Sequence, residues 1–194
     1  MTENYTIIYA DPPWRYKRYK VQGAAENHYP TMGLEEICAL PVADIAAKDS
    51  ALFLWATFPL LPEALRVIDA WGFQYKTVAF AWLKLNKKAH SWFYGLAYWT
   101  RSNAEICLLA TKGHPKRQNK SIHQLIVSPV EAHSKKPKEA RDKIVSLMGD
   151  LPRIELFARQ QTPGWDVWGN EVSSSVRLGT NCPQAGKEGF FCPM

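Results

Sequence analysis

Short, continuously apolar runs alternate with helical patterns along most of this 194-residue chain. The apolar runs predict strands at 5–10, 51–57, 73–83, 104–111, 124–129 and 153–158. The helical patterns lie at 33–38, 62–71 and 136–148. Strands that are apolar throughout are buried on both faces, as in parallel sheets covered by helices. We therefore predict an α/β fold with a mostly parallel sheet, helices on both of its faces and a ligand crevice at the carboxyl ends of the strands.

Length and composition favour one domain and no metal site. After Val172 the composition shifts to Ser, Gly, Pro and Cys, so we predict a folded domain over 1–172 and a poorly ordered tail over 173–194. The four cysteines form no CxxC pair and match no zinc module. No apolar run reaches the ~18 residues that a membrane helix needs, and no signal pattern begins the chain. We expect a cytoplasmic protein without a membrane partner.

Basic residues cluster in three places, and the formal net charge is +6. The clusters are Arg15, Lys17, Arg18 and Lys20; then Lys112, Lys116, Arg117 and Lys120; then Lys135, Lys136 and Lys138. The second cluster lies in a stretch, 106–130, that contains no acidic residue. The pattern predicts a polyanionic partner, nucleic acid, with the three clusters flanking one site. The alternative is a solvated basic surface.

The first predicted strand, TIIYA, ends abruptly in Asp11-Pro12-Pro13-Trp14. Each proline fixes a φ angle, and the first pushes Asp11 away from helical geometry, so the backbone is stiff. The Asp11 carboxylate and the Pro12 carbonyl are two neighbouring acceptors for the two hydrogens of one amino group. The Trp14 indole can stack on a flat ring. This combination predicts a receptor for an exocyclic amine on a planar heterocycle. The alternative is that Asp11 caps a turn and the prolines only end the strand.

Six motifs carry a resemblance to a known family. In chain order they are DPPW, HYPTMGLEEICALPV, ALFLWAT, YWTRSNAEICLLATKG, AHSKKPKEA and RIELFARQQTPGWDVWGNE. Over residues 7–171 the chain resembles the family of the messenger-RNA adenosine N6-methyltransferase catalytic subunit and its bacterial and phage DNA adenine methyltransferase relatives. The resemblance implies a class I, Rossmann-like methyltransferase domain over 1–172. Its motif order is permuted, with the catalytic motif first and the donor segment last.

The same resemblance implies a reaction and a cofactor. The cofactor is S-adenosylmethionine, and the reaction is direct methyl transfer to the N6 amino group of adenine. A compact chain without RNA-binding modules looks more like the bacterial and phage members, so DNA is the expected substrate. The alternatives are an RNA adenosine N6-methyltransferase and a non-catalytic nucleic-acid-binding subunit. Family members often pair, which implies a homodimer or heterodimer.

Motif matching assigns three groups of residues. The catalytic group is Asp11, Pro12, Pro13 and Trp14. The donor-binding group is Asp11, Ser134, Lys136, Phe157, Arg159, Gln161, Asn170 and Glu171. The target base is assigned to Tyr16, Tyr29, Trp99 and Lys136, and the basic cluster after Asp-Pro-Pro-Trp adds Arg15, Lys17 and Arg18 for phosphates. Lys136 also opens a predicted helix, where backbone N–H groups suit a ligand carboxylate. Gln161 and Glu171 depart from the family pattern, which often has His and Gln there.

Overall fold

The computed structural model describes residues 4–15, 31–88, 91–97, 99–131 and 134–178. Seven strands form one sheet: β1 (Tyr5–Ala10), β2 (Ala46–Ala56), β3 (Gln74–Leu85), β4 (Ala104–Lys112), β5 (Leu125–Pro129), β6 (Arg153–Leu156) and β7 (Asp166–Trp168). The α-helices are α1 (Leu34–Cys38), α2 (Val42–Ile45), α3 (Leu61–Ala70) and α4 (Lys138–Met148). A 3-10 turn at Phe58–Leu60 leads into α3. No helix among the described residues is both long and apolar enough to cross a membrane.

The strand order across the sheet is β5-β3-β4-β2-β1-β6-β7. Neighbouring strands are parallel except at β4, which runs antiparallel to both β2 and β3. The predicted α/β class and mostly parallel sheet are confirmed. β1 lies inside the sheet, between β2 and β6, and is buried on both faces, as its continuous apolar run predicts.

Helices cover both faces of the sheet, as predicted. On one face, Ile37 of α1, Val42 of α2 and Val67 of α3 pack against alternate residues of the central strands. On the other face, Ala140 and Ile144 of α4 pack against a cluster rich in aromatic side chains. These two cores hold β1 and its neighbours rigidly, so residues that follow their carboxyl ends have defined positions.

The direction of β4 overturns one expectation from the sequence. Lys112 ends β4, and the antiparallel course carries it to the amino edge of the parallel strands. The basic cluster that follows therefore does not flank the residues after β1, contrary to the prediction of three clusters around one site. Local sequence patterns could not reveal this, because a strand buried on both faces looks the same in either direction.

The beginning of the predicted tail packs on the sheet. The Ser175 N–H donates to the Val167 carbonyl at 2.7 Å, and the Ser175 hydroxyl accepts from the Val167 N–H at 3.0 Å. Leu178 is buried in the core on the face of α1 to α3. Residues 173–178 are thus part of the folded domain, and the predicted tail from 179 onward lies outside the described residues.

Candidate active site

The candidate site lies where β1 and β6 end side by side at the carboxyl edge of the sheet. Ala10 pairs with Leu156, so Asp11 and Phe157 follow at the same level. From here the chain continues from β1 to β2 on one side, and from β6 to β7 on the other. A ligand crevice forms at such a switch point because the diverging connections leave the strand ends uncovered.

The Asp-Pro-Pro-Trp loop is held by hydrogen bonds to both proline carbonyls and from the Trp14 indole. The Trp14 N–H donates to the Pro12 carbonyl at 2.8 Å, and the Met32 N–H donates to the Pro13 carbonyl at 2.8 Å. The Trp14 indole is 8% exposed and donates to the Trp55 carbonyl at 3.1 Å. The Pro12 oxygen keeps one further lone pair for a ligand. The sequence predicts that the Trp14 indole stacks on the flat ring of a ligand. It is instead buried, and its hydrogen bond to Trp55 attaches the loop to β2.

Lys136 occupies the centre of the site. Its ammonium donates to Asp11 Oδ2 at 2.8 Å and to the Ser134 carbonyl at 3.2 Å, and it lies 3.3 Å from Glu105 Oε2. The Trp55 ring centroid is 5.7 Å from the ammonium, and the Lys136 side chain is only 7% exposed. The expectation that Lys136 opens a helix is wrong, because α4 begins two residues later. Its ammonium is paired with carboxylates of the protein itself.

Glu105 and Lys84 complete the ion cluster, and sequence reasoning missed both. Lys84 Nζ lies 2.5 Å from Glu105 Oε1 and 5.0 Å from the Trp82 ring centroid. The available signal was a carboxylate in the otherwise apolar run AEICLLA. In a parallel strand Glu105 would lie at the far edge, but antiparallel β4 begins at the edge where the site lies. The charges alternate along a chain: Asp11, Lys136, Glu105, Lys84.

Burial and charge pairing shift the pKa values of Asp11, Lys136 and Glu105 in different directions. Burial raises the pKa of the Asp11 carboxyl above its ordinary value of 3.8, although Lys136 opposes the shift. Burial also raises the pKa of Glu105, but the ammonium groups of Lys136 and Lys84 outweigh burial and hold it below 4.5. Burial lowers the pKa of Lys136, but Asp11 and Glu105 reverse the shift. Lys136 and Glu105 are therefore charged at neutral pH, and Asp11 has a raised proton affinity.

A second ion pair lies in the core next to the site. Arg141 Nη1 of α4 contacts both carboxylate oxygens of Glu155 of β6, at 3.0 and 3.2 Å. The Tyr9 ring centroid is 6.0 Å from the guanidinium, and the Tyr9 hydroxyl accepts from the Trp55 indole N–H at 2.8 Å. Burial raises the pKa of Glu155 to about 6, even though Arg141 opposes the shift. The pair joins α4 to β6 and so helps to position Lys136, which lies two residues before α4.

The ends of β6 and β7 present an aromatic ring, a guanidinium, a carboxylate and an amide. Phe157 is half-buried, adopts a φ of 61° and packs edge-on to Trp168 at 5.4 Å between ring centroids. Arg159 Nε lies 3.4 Å from Glu171 Oε1, and Asn170 next to Glu171 is exposed. The structure thus brings together, near the Asp11 edge, four predicted donor-binding residues from two separate strand ends.

Two other predicted donor-binding residues lie apart from this group. Ser134 adopts a φ of 58°, and its carbonyl accepts from Lys136, so it belongs to the ion cluster. Gln161 donates to the Trp165 carbonyl at 3.4 Å and lines a cavity together with Tyr5, at the amino ends of β1 and β6. The loop after β6 must return to the amino edge before parallel β7 begins, and this return carries Gln161 away from the site.

Residues predicted to contact the nucleic acid are only partly described. Arg15 donates to the Thr31 carbonyl at 3.0 Å and lies 3.8 Å from the Glu36 carboxylate. These contacts hold Arg15 against the segment before α1, with its side chain still half exposed. Trp99 is 98% exposed, so its ring is accessible to a ligand. Four predicted residues lie outside the described part of the chain: Tyr16, Lys17, Arg18 and Tyr29.

The doubly covered α/β sheet, with a carboxylate–lysine cluster at its switch point, is consistent with the Rossmann-like fold of methyltransferases. The chain belongs to the MT-A70 family, whose profile matches residues 5–171. It is 35% identical over 190 residues to Type II methyltransferase M.MunI of a Mycoplasma species, a match that covers 88% of this chain and 78% of that protein. The family and the methyltransferase activity predicted from the motifs are confirmed.

Longer eukaryotic relatives match the same domain. The N(6)-adenosine-methyltransferase MT-A70-like protein of Drosophila melanogaster is 30% identical over 178 residues, covering 90% of this chain and 28% of that protein. The N(6)-adenine-specific methyltransferase METTL4 of Homo sapiens is 27% identical over 185 residues, covering 88% of this chain and 38% of that protein. The chain therefore spans well under half the length of these two relatives.

Proposed function

We propose that this chain is an S-adenosylmethionine-dependent methyltransferase that transfers a methyl group directly to the N6 amino group of adenine in DNA. One observation carries the proposal: the adjacent acceptors of Asp11 and Pro12 follow the carboxyl end of β1, on a loop held by hydrogen bonds to both proline carbonyls and from Trp14. The relatives named for adenine or adenosine N6 methylation support the choice of reaction.

On the acceptor side, Asp11 and Pro12 hold the amino group. Their oxygens accept its two hydrogens, which favours a pyramidal nitrogen whose lone pair points out of the ring plane. The Asp11 side chain is 28% exposed, so one oxygen can stay with Lys136 while the other faces the ligand. The proton that the nitrogen loses passes to Asp11, whose raised pKa suits an acceptor, or to water.

On the donor side, the chemistry of the residues fits S-adenosylmethionine. This cofactor supplies an electrophilic methyl group. Phe157 offers an apolar ring surface, and Arg159, Asn170 and Glu171 offer hydrogen-bonding groups for ribose hydroxyls or adenine edges. Lys136 and Ser134, which lie next to Asp11, would sit near the methionine part of the donor and the target base.

DNA is proposed over RNA because the domain accounts for most of M.MunI but for a minor part of the eukaryotic relatives. An adenine inside a duplex must be extruded at a cost of a few kcal/mol, so single-stranded or distorted DNA is the easier substrate. RNA adenosine methylation is the second candidate, favoured by fungal relatives that are named N6-methyladenosine RNA methyltransferase. The intact Asp11 and Lys136 cluster argues against a non-catalytic subunit.

A homodimer or heterodimer stays a prediction that light scattering tests.

Nucleoside mass spectrometry after incubation with the donor and matched DNA or RNA oligomers tests the proposal. We expect N6-methyladenine in the DNA products. Methylation confined to RNA would replace the substrate in the proposal, and no product on either polymer, with nucleic-acid binding retained, would favour the non-catalytic subunit.

Replacement of Asp11 tests the amino-group mechanism. Asp11→Ala should lower methyl transfer by at least ~100-fold, since it removes a preorganised polar contact to the reacting group. Donor affinity, measured by calorimetry, should stay largely intact. Glu35→Gln, on an exposed surface pair with Arg66, is the matched control for loss of a carboxylate. Near-normal transfer by Asp11→Ala would refute the mechanism.

A further inference from the structure

The loop 113–124 connects β4 to β5 at the amino edge of the sheet, opposite the candidate active site. Glu105 lies in the active-site cluster, and Lys112 ends the same strand seven residues later. At about 3.4 Å per residue, the beginning of the loop lies roughly 24 Å from Glu105 along the strand. Basic residues of this loop therefore cannot contact the phosphates that flank a base held by Asp11.

The loop has no regular secondary structure but is held at several points. The His114 N–H donates to the Asp49 carboxylate at 2.7 Å. The N–H groups of Gln118 and Asn119 donate to the Leu147 carbonyl at the end of α4, at 2.8 and 3.2 Å. Nearer β5, Lys143 Nζ donates to the His123 carbonyl at 2.9 Å. The loop is thus ordered in the free protein, which lowers the entropy cost of binding a partner.

Three cationic side chains project from this held loop. Lys116, Arg117 and Lys120 are all exposed, and none of them forms an ion pair with any residue that the structure describes. The Asp49 carboxylate, beside the start of the loop, accepts from the His114 N–H. The three like charges lie within five consecutive residues, which favours an anionic partner. Cationic side chains on a held backbone are groups that can neutralise the phosphates of a nucleic acid.

We propose that the loop 113–124 is a second nucleic-acid-binding surface, which holds the phosphate backbone of a DNA segment outside the one that enters the active site. It would keep the enzyme bound to long DNA while successive adenines reach the candidate active site at the carboxyl edge of the sheet. The choice of DNA as partner rests on the proposed function, whereas the position, order and charge of the loop do not.

The test is a triple variant, Lys116→Gln with Arg117→Gln and Lys120→Gln. Anisotropy titrations use a G·C-only duplex of about 40 base pairs, which contains no target adenine, at several salt concentrations. Three lost phosphate contacts should reduce the slope of log K against log salt by about 2.7. Between 50 and 200 mM salt, wild type should then lose roughly 40-fold more affinity than the variant. Methylation of a short single-stranded oligomer should stay within about twofold of wild type.

A double variant of exposed arginines elsewhere, Arg66→Gln with Arg177→Gln, is the control and should keep the wild-type slope. An unchanged slope in the triple variant, or tighter binding to polyglutamate than to the duplex, would overturn the proposal. Because the duplex titration needs no catalysis, a wild-type protein that methylates nothing would refute the proposed function and leave the loop test valid.

Discussion

Glu105→Gln tests whether the ion cluster stabilises the fold as its geometry indicates. Glu105 lies 3.3 Å from the Lys136 ammonium and 2.5 Å from that of Lys84, with its side chain 13% exposed. At an effective dielectric constant of about 20, the attraction to Lys136 alone is ~5 kcal/mol before desolvation is subtracted. Removing one partner of a buried pair typically costs about 3–5 kcal/mol. Glutamine keeps the shape and one acceptor oxygen, so we expect a loss of about 3 kcal/mol.

Urea unfolding at pH 7, followed by tryptophan fluorescence, measures this loss. The control is Glu35→Gln, which removes a carboxylate from an exposed pair with Arg66 and should cost less than ~1 kcal/mol. A loss in Glu105→Gln no larger than in the control would show that the cluster does not stabilise the fold and would refute the electrostatic argument.

The pH dependence of the same variant gives a second check. The pKa of Glu105 in the folded protein lies below its ordinary value of 4.5. A depressed carboxyl pKa means that the unfolded chain takes up the proton first as the solution is acidified, so folding is stabilised above pH 4.5 and less so below it. The deficit of Glu105→Gln should therefore be full at neutral pH and shrink in acid. A deficit that is constant with pH would contradict the charge-based explanation.

Two further predictions concern the neighbouring structure. The pKa of Glu155 is raised from 4.5 to about 6, so the folded state binds its proton more tightly than the unfolded chain does. Wild type should therefore lose about 2 kcal/mol of folding stability as the pH rises from 4.5 to 6. Urea unfolding of Glu155→Gln should lack this loss, and curves parallel to wild type would exclude it. Gly169→Ala places a Cβ against the backbone of Ala158 and should displace the ends of β6 and β7. Calorimetry should then show donor affinity reduced at least ~10-fold. Unchanged affinity would show that Gly169 does not support the donor site.

The sequence by itself determined the class of fold and the acceptor end of the site. Continuous apolar runs separated by helical patterns are local signals, and they identified six of the seven strands. Asp11 and the prolines could be recognised because a carboxylate and two breakers end an apolar run, which is also a local pattern. The ordered motifs added the family, since they were matched in sequence without any knowledge of contacts.

Only the tertiary structure decided what surrounds Asp11. The direction of β4 depends on its pairing with β2 and β3, which are distant in sequence, and both directions bury the same apolar residues. The antiparallel direction of β4 places Glu105 next to Lys136 and places the basic loop 113–124 at the opposite edge of the sheet. Burial of the Trp14 indole likewise depends on Trp55, which lies 41 residues away. Chemistry carried by consecutive residues can be read from the sequence, whereas a charge cluster assembled from four separate segments forms only when the sheet does.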